Sequence, residues 1–241
     1  MRIQRVRRRG TTLFMLCGCL TAVFVGMVLL AIGLLILLPR LPGLALLVSG
    51  FTARGNIAQA FANVPTMPRI QLQDVVTPGR VLLNLGSAGT EEIPSVFVQT
   101  GLLDGTPAAT ILLSEDDLMV LCRQRTSLCS NDNPQYQNVR VDLRPGGGVV
   151  YADVHLPEAG ISQTIGAVVR LDGSQRQFEL LGVDMGGVLY GLPTGSLAAQ
   201  VQEVTATANA MLQQAILNVD GSPFELGDIR IDDSGIMFLM R

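Results

Sequence analysis

Asn138-Val139-Arg140-Val141-Asp142-Leu143-Arg144-Pro145-Gly146-Gly147-Gly148-Val149-Val150-Tyr151-Ala152-Asp153-Val154-His155-Leu156 is the stretch whose reading decides the fold. Val139, Val141 and Leu143 alternate with Asn138, Arg140, Asp142 and Arg144, and a period of two gives a strand one dry face and one wet face. Pro145-Gly146-Gly147-Gly148 turns the chain, and Val150, Ala152, Val154 and Leu156 supply the dry face of the return strand, so the stretch is a hairpin. The three glycines are not a phosphate loop, because no helix opening with Lys and Ser or Thr follows them.

Working outward, Ile165, Ala167, Val169 and Leu171 repeat the alternation, Asp172-Gly173 turns it, and Gln177 to Val183 returns with Phe178 and Leu180 on one face. Four consecutive strands joined by hairpins make an antiparallel meander. Met185-Gly186-Gly187 and Leu192-Pro193 close the sheet. From Ser196 to Leu217 the apolar residues Leu197, Val201, Val204, Ala208, Met211 and Ala215 mark a helix stripe, and Glu203 is the one charge in the segment, so a mostly covered helix is expected. The chain ends in a hairpin, Phe224 to Ile231 and Ile236 to Met240. Ile229 and Ile231 are out of phase with Phe224 and Leu226, which points to a bulge near Gly227.

Upstream, short apolar runs between Ile70 and Leu113, separated by Gly, Pro, Ser and Thr, have strand-and-turn chemistry. Ser114-Glu115-Asp116-Asp117 reads as an N-cap with first-turn acids, opening a helix from Glu115 to Arg123. As a metal or catalytic cluster the three acids are the weaker reading.

No charged residue occurs from Leu13 to Leu38, and 26 residues at a rise of 1.5 Å give roughly 39 Å of helix, enough to cross a bilayer core of about 30 Å. Arg2, Arg5, Arg7, Arg8 and Arg9 precede this run, so a single-pass protein with a cytoplasmic N-terminus is expected. A cleaved signal peptide would have a shorter apolar core and a small-residue cleavage site. Leu16-Cys17-Gly18-Cys19 also fits a lipoprotein motif, but an unusually long apolar run would remain after the modified cysteine. The expected organisation is a basic tail at 1–12, a transmembrane helix at 13–38, a juxtamembrane helix (Leu44 to Phe61) and linker within 39–69, and an extracytoplasmic α+β domain at 70–241.

Five of the 17 basic residues precede the run, which leaves twelve against 20 acidic residues beyond it. An acidic external part excludes a nucleic-acid partner and broad docking on anionic lipid. Cys122 and Cys129 fall in that part, where an oxidising compartment lets them pair as a disulfide. With no histidine near them they do not make a metal site. His155 lies on the wet face of its strand with no motif to bring it a nucleophile and an acid, and Asp228, Asp232, Asp233 and Gly235 do not match a calcium loop. The sequence thus points to a non-enzyme without a cofactor.

A Leu112-Leu113-Ser114-Glu115-Asp116-Asp117-Leu118 helix start, the strands around Asn138 to Leu143, Leu181-Gly182-Val183-Asp184-Met185-Gly186-Gly187 with Leu192-Pro193, a long helix and the closing Ile229-Arg230-Ile231-Asp232-Asp233-Ser234-Gly235-Ile236 hairpin follow an N-terminal anchor. This order resembles the LmeA-type and YpmS-type bacterial envelope proteins, which look like relatives of the tubular lipid-binding superfamily. It covers residues 110 to 241, while 39 to 109 depart from the family pattern. The resemblance implies a strongly twisted antiparallel sheet packed around one long helix, with an apolar groove for phospholipid or glycolipid acyl chains. In this chain Leu197, Val201, Val204, Ala208 and Met211 on the helix, and Val141, Val169 and Phe178 on the sheet, would line that groove. Periodicity alone is equally compatible with an ordinary filled core. The expected function is a membrane-anchored, extracytoplasmic lipid-binding module of the bacterial envelope; the alternative is a non-catalytic scaffold of a membrane complex, with a hydrolase third.

Overall fold

The computed structural model describes residues 52–62, 64, 68–86, 89–125, 129, 136–156, 161–173, 175–192 and 196–241. The basic tail and the apolar run at 13–38 lie outside them, and among the described residues no helix is long and apolar enough to cross a membrane. In chain order the elements are β1 (Ala53–Asn56), α1 (Ile57–Phe61), β2 (Gln73–Val76), β3 (Val81–Asn84), β4 (Thr90–Glu92), β5 (Val98–Leu103), β6 (Thr106–Leu113), α2 (Glu115–Arg125), β7 (Tyr136–Arg144), β8 (Gly147–Leu156), β9 (Ile161–Asp172), β10 (Gln177–Met185), β11 (Val188–Gly191), α3 (Ser196–Gln213), β12 (Ile216–Val219), β13 (Ser222–Asp232) and β14 (Gly235–Met240). The fold is α+β and mostly antiparallel sheet.

The expected meander is present as β7 to β10, paired in sequence order inside a six-stranded sheet, β1-β11-β10-β9-β8-β7. There are two sheets rather than one. The second has eight strands in the order β2-β5-β6-β14-β13-β12-β3-β4. Their dry faces share one core, in which Val141, Leu143, Val150, Ala152, Val169 and Phe178 of the first sheet join Val81, Leu83, Ile111, Leu217, Ile229 and Ile236 of the second. Side chains from the two sheets therefore fill the interior. The closing hairpin shifts register between Leu226 and Asp228, which places a bulge at Gly227, as the phase change there predicts.

The long helix is not wrapped by a sheet. It ends at Gln213, and Ile216 and Leu217, expected within it, begin strand β12 instead. Among the described side chains of the helix, Val201, Asn209 and Leu212 are buried. Val204, expected on the covered stripe, is 40 % exposed. Thr205 and Thr207 satisfy their hydroxyls on the carbonyls of Val201 and Glu203, one turn back, so a charge-poor helix can still face water.

What fixes α3 is the edge of β10. Strand β11 covers only Gly182 to Met185, which leaves Phe178 without a strand neighbour on that side. The Asn209 carboxamide takes the neighbour's place, accepting from the Phe178 amide at 2.8 Å and donating to its carbonyl at 2.9 Å. A buried strand edge needs such partners, because an unpaired backbone group away from water costs about as much as a lost hydrogen bond. At the opposite edge of the sheet the Glu115 carboxylate accepts from the Leu143 amide of β7 at 2.6 Å. Glu115 is thus an edge clamp, while Ser114 and Asp117 make the cap: Asp117 accepts from the Ser114 amide and hydroxyl, and its own amide donates to Ser114 Oγ.

Described residues before β2 pack on the domain. Ala53–Asn56, expected as helix, is a strand on β11, and only Ile57–Phe61 is helical, capped by Asn56 Oδ1 on the Ala58 amide at 2.8 Å. Ile57 and Phe61 pack on the outer face of the first sheet against Val149, Val168 and Leu189. Gly147 makes room for them, since a Cβ there would lie 2.7 Å from the Phe61 ring. The chain then crosses to the second sheet, where Arg69 pairs with Asp232 at 3.0 Å and Arg230 donates to the Pro68 carbonyl. The described residues between 53 and 70 thus contact both sheets, Ile57 and Phe61 the first and Pro68 and Arg69 the second.

Candidate functional site

Where α3 gives way to β12, the end of the helix, the β9–β10 turn and β13 enclose a half-open cleft of about 690 Å³, lined by Gln175, Arg176, Gln213, Gln214, Ala215, Ile216, Glu225 and Leu226. Its volume lies in the range of small-ligand sites. The rim is polar, with three carboxamides, one guanidinium and one carboxylate. The floor is apolar: Ala215 and Leu226 line the cleft and also belong to the core between the sheets.

Local structure positions each rim group. The turn between β9 and β10 puts Arg176 in the left-handed region at φ 52°. Its Nη1 donates to the Leu226 and Gly227 carbonyls, at 2.7 and 3.2 Å, beside the bulge. The bulge interrupts the β13–β14 ladder there, and the guanidinium binds the carbonyls beside it. Glu225 exchanges backbone bonds with Arg241 at 2.6 and 2.7 Å, and its side chain is exposed. Gln214 follows the last turn of α3, its amide bonded to the Ala210 carbonyl at 3.1 Å.

The residues expected to line an acyl groove separate into three groups. Val141, Val169, Phe178 and Val201 meet in the shared core, each less than a tenth exposed. Ala208 and Met211 are half-buried on the flank of α3, and Val204 faces solvent. The Leu197 side chain lies outside the described residues. The 4-3-4-3 spacing followed the apolar residues available, but the docked face is set by the buried polar Asn209, which an apolar count passes over. Cys122 and Cys129 are joined as a disulfide with Cα atoms 5.7 Å apart, both buried in the core. His155 sits exposed on β8, its Nδ1 3.3 Å from Ser162 Oγ.

A second polar cluster lies under α1. Asp184, only 5 % exposed, accepts from Tyr151 Oη at 2.9 Å and from the Gly187 amide at 2.8 Å, and Arg140 lies 4.8 Å over the Tyr151 ring. Burial, and then the hydrogen bond to Asp184, push the Tyr151 phenol up to about 12. A phenol held protonated on a carboxylate that also ties the Gly186-Gly187 turn is a structural brace. The Asp-x-Gly-Gly spacing was its only sign in the sequence.

The rim residues Gln175, Arg176, Gln213, Gln214 and Glu225 were not foreseen. They lie in three separate segments, and each alone looks like ordinary surface polarity. No family model, curated protein or solved structure matches the chain.

Proposed function

We propose that the chain is a single-pass membrane protein whose domain from residue 53 onward lies outside the cytoplasm and binds a lipid of the envelope. The observation that carries this reading is the cleft: a polar rim of headgroup size opens onto two residues of the inter-sheet core, Ala215 and Leu226. The headgroup stays at the rim and the first methylenes of the chains enter beside Ala215, Ile216 and Leu226. Each methylene so covered contributes about 0.8 kcal/mol. The anchor and its orientation follow from the uncharged run at 13–38 and the five arginines before it.

Native mass spectrometry of the full-length protein released from lipid nanodiscs tests the reading. Retained lipid is expected, and Ile216→Trp, which fills the cleft from a half-buried position, is expected to remove it at nearly unchanged melting temperature. A protein that releases bare, or that keeps its lipid in Ile216→Trp, overturns the proposal. A cytoplasm-specific reporter fused after Arg241 is expected to be silent; activity there reverses the orientation.

One observation favours a scaffold instead. The outer face of α3, with Gln202, Glu203, Val204, Ala206, Thr207 and Ala210 exposed, carries a single charge. A bare protein in the lipid experiment leaves this face as the functional surface.

A further inference from the structure

We propose that the cleft selects a zwitterionic phosphodiester headgroup, with Arg176 on the phosphate and Glu225 on the ammonium group; the inference rests on the lipid-binding reading above. The two residues come from different elements and line one cleft. Among the described residues neither Arg176 nor Glu225 takes part in an ion pair, with each other or with a third group. A cation and an anion held in one concavity without contacting each other make a site of zero net charge and strong local field. Such a site gains from a ligand that carries both signs and gains little from one that carries a single sign, because the second protein charge then loses water without a partner.

Orientation supports the assignment. The two carbonyls that accept from Arg176 Nη1 fix the guanidinium plane, and Nε and Nη2 remain as the paired donors that suit a phosphate. Gln175, Gln213 and Gln214 offer donors and acceptors to ester and hydroxyl oxygens. The acidic balance beyond the apolar run, twelve basic residues against 20 acidic, disfavours a purely anionic headgroup at long range.

A headgroup of this chemistry can come from a phospholipid or from a free glycerophosphodiester, so three probes are titrated into the full-length protein in detergent by calorimetry: dihexanoyl-phosphoethanolamine, dihexanoyl-phosphoglycerol and glycerophosphoethanolamine. The phosphoethanolamine lipid is expected to bind about tenfold or more tighter than the phosphoglycerol lipid, and Glu225→Gln is expected to erase that preference while leaving phosphoglycerol binding in place. Arg176→Gln is expected to weaken both. Because Arg176 also holds backbone carbonyls, Glu225→Gln is the decisive variant. If the chain-free diester binds as tightly as the lipid, the headgroup selection stands and its source is soluble. Equal affinity for the two lipids, or a preference that survives Glu225→Gln, overturns the selection and spares the lipid-binding reading. Failure to bind either diacyl lipid removes both.

Discussion

Replacing Asn209 by Ala removes the two hydrogen bonds that close the edge of β10, to the Phe178 amide at 2.8 Å and the Phe178 carbonyl at 2.9 Å. Asn209 is 8 % exposed, so water reaches the vacated groups poorly. A buried donor or acceptor left without a partner costs about 1–3 kcal/mol, and two such groups with partial rehydration cost about 2–4 kcal/mol. For a domain of this size each kcal/mol moves the melting temperature by about 2–4 °C, so a fall of roughly 5–15 °C is expected. The chain has no tryptophan, so the transition is followed by far-ultraviolet circular dichroism of the full-length protein in detergent, with hydrogen exchange at the Phe178 amide as the local readout. Asn209→Leu, which fills the space but cannot hydrogen-bond, is expected to fall as far as Asn209→Ala. That rules out a simple cavity effect. A loss below about 0.5 kcal/mol with an unchanged exchange rate at Phe178 refutes the edge-closure account and leaves α3 held by apolar contact alone.

Val204→Phe adds a ring at an exposed position, so melting is expected to shift by less than about 0.5 kcal/mol, and lipid retention is expected to stay at the wild-type level; a loss of lipid would bring the face of α3 into the site. Tyr151 has a folded-state pKa of about 12 against an ordinary 10, so its contribution is complete below pH 10 and is lost as pH rises from 10 through 12; Tyr151→Phe is expected to flatten the stability profile in that window and to be unaltered in slope below it. Mass mapping under non-reducing conditions is expected to yield one peptide pair linking Cys122 to Cys129, and the short loop limits the cost of reducing it to about 2.5 kcal/mol. Two freely alkylated thiols in the native protein would remove the pairing.

Strands with one dry and one wet face were legible because burial on a single side forces a period of two, so β7 to β10 and the β13–β14 hairpin followed from Val139, Val141, Ile165, Phe178 and their neighbours. The Gly227 bulge was legible for the same reason, as a break in that period. The second sheet was harder to see. Leu217 and Val219 continue the apolar residues of α3 without a break in composition, and only Asp220-Gly221, both at positive φ, marks the turn that makes them a strand. The phase of α3 was hidden because its docked face is decided by a polar side chain with two backbone partners, and the preferences of single residues do not carry that pairing. Glu115 misled for a related reason: an acid in the first turn of a helix reads as a dipole partner, whereas its carboxylate is committed to the Leu143 amide 28 positions away.

The cleft follows from three departures from regular structure that coincide in space. Helix α3 stops at Gln213 although Gln214 to Leu217 would have continued it, so Gln213 at its end and Gln214 just after it line the cleft beside the start of β12. The β13 ladder slips at Gly227 and leaves carbonyls for a side chain to take up. The β9–β10 turn places Arg176 in a left-handed conformation, which a residue without glycine's freedom adopts at some cost, and that brings its guanidinium to those carbonyls. Any one of these is ordinary at a surface. Together they hold a cation, an anion and three carboxamides around two core residues, and regular elements would have buried or paired the same groups. Irregularity that converges on one concavity is what a binding site requires of a fold otherwise built of paired strands, and the proposed lipid site therefore sits at the junction of α3, β12 and β13 rather than along the helix stripe.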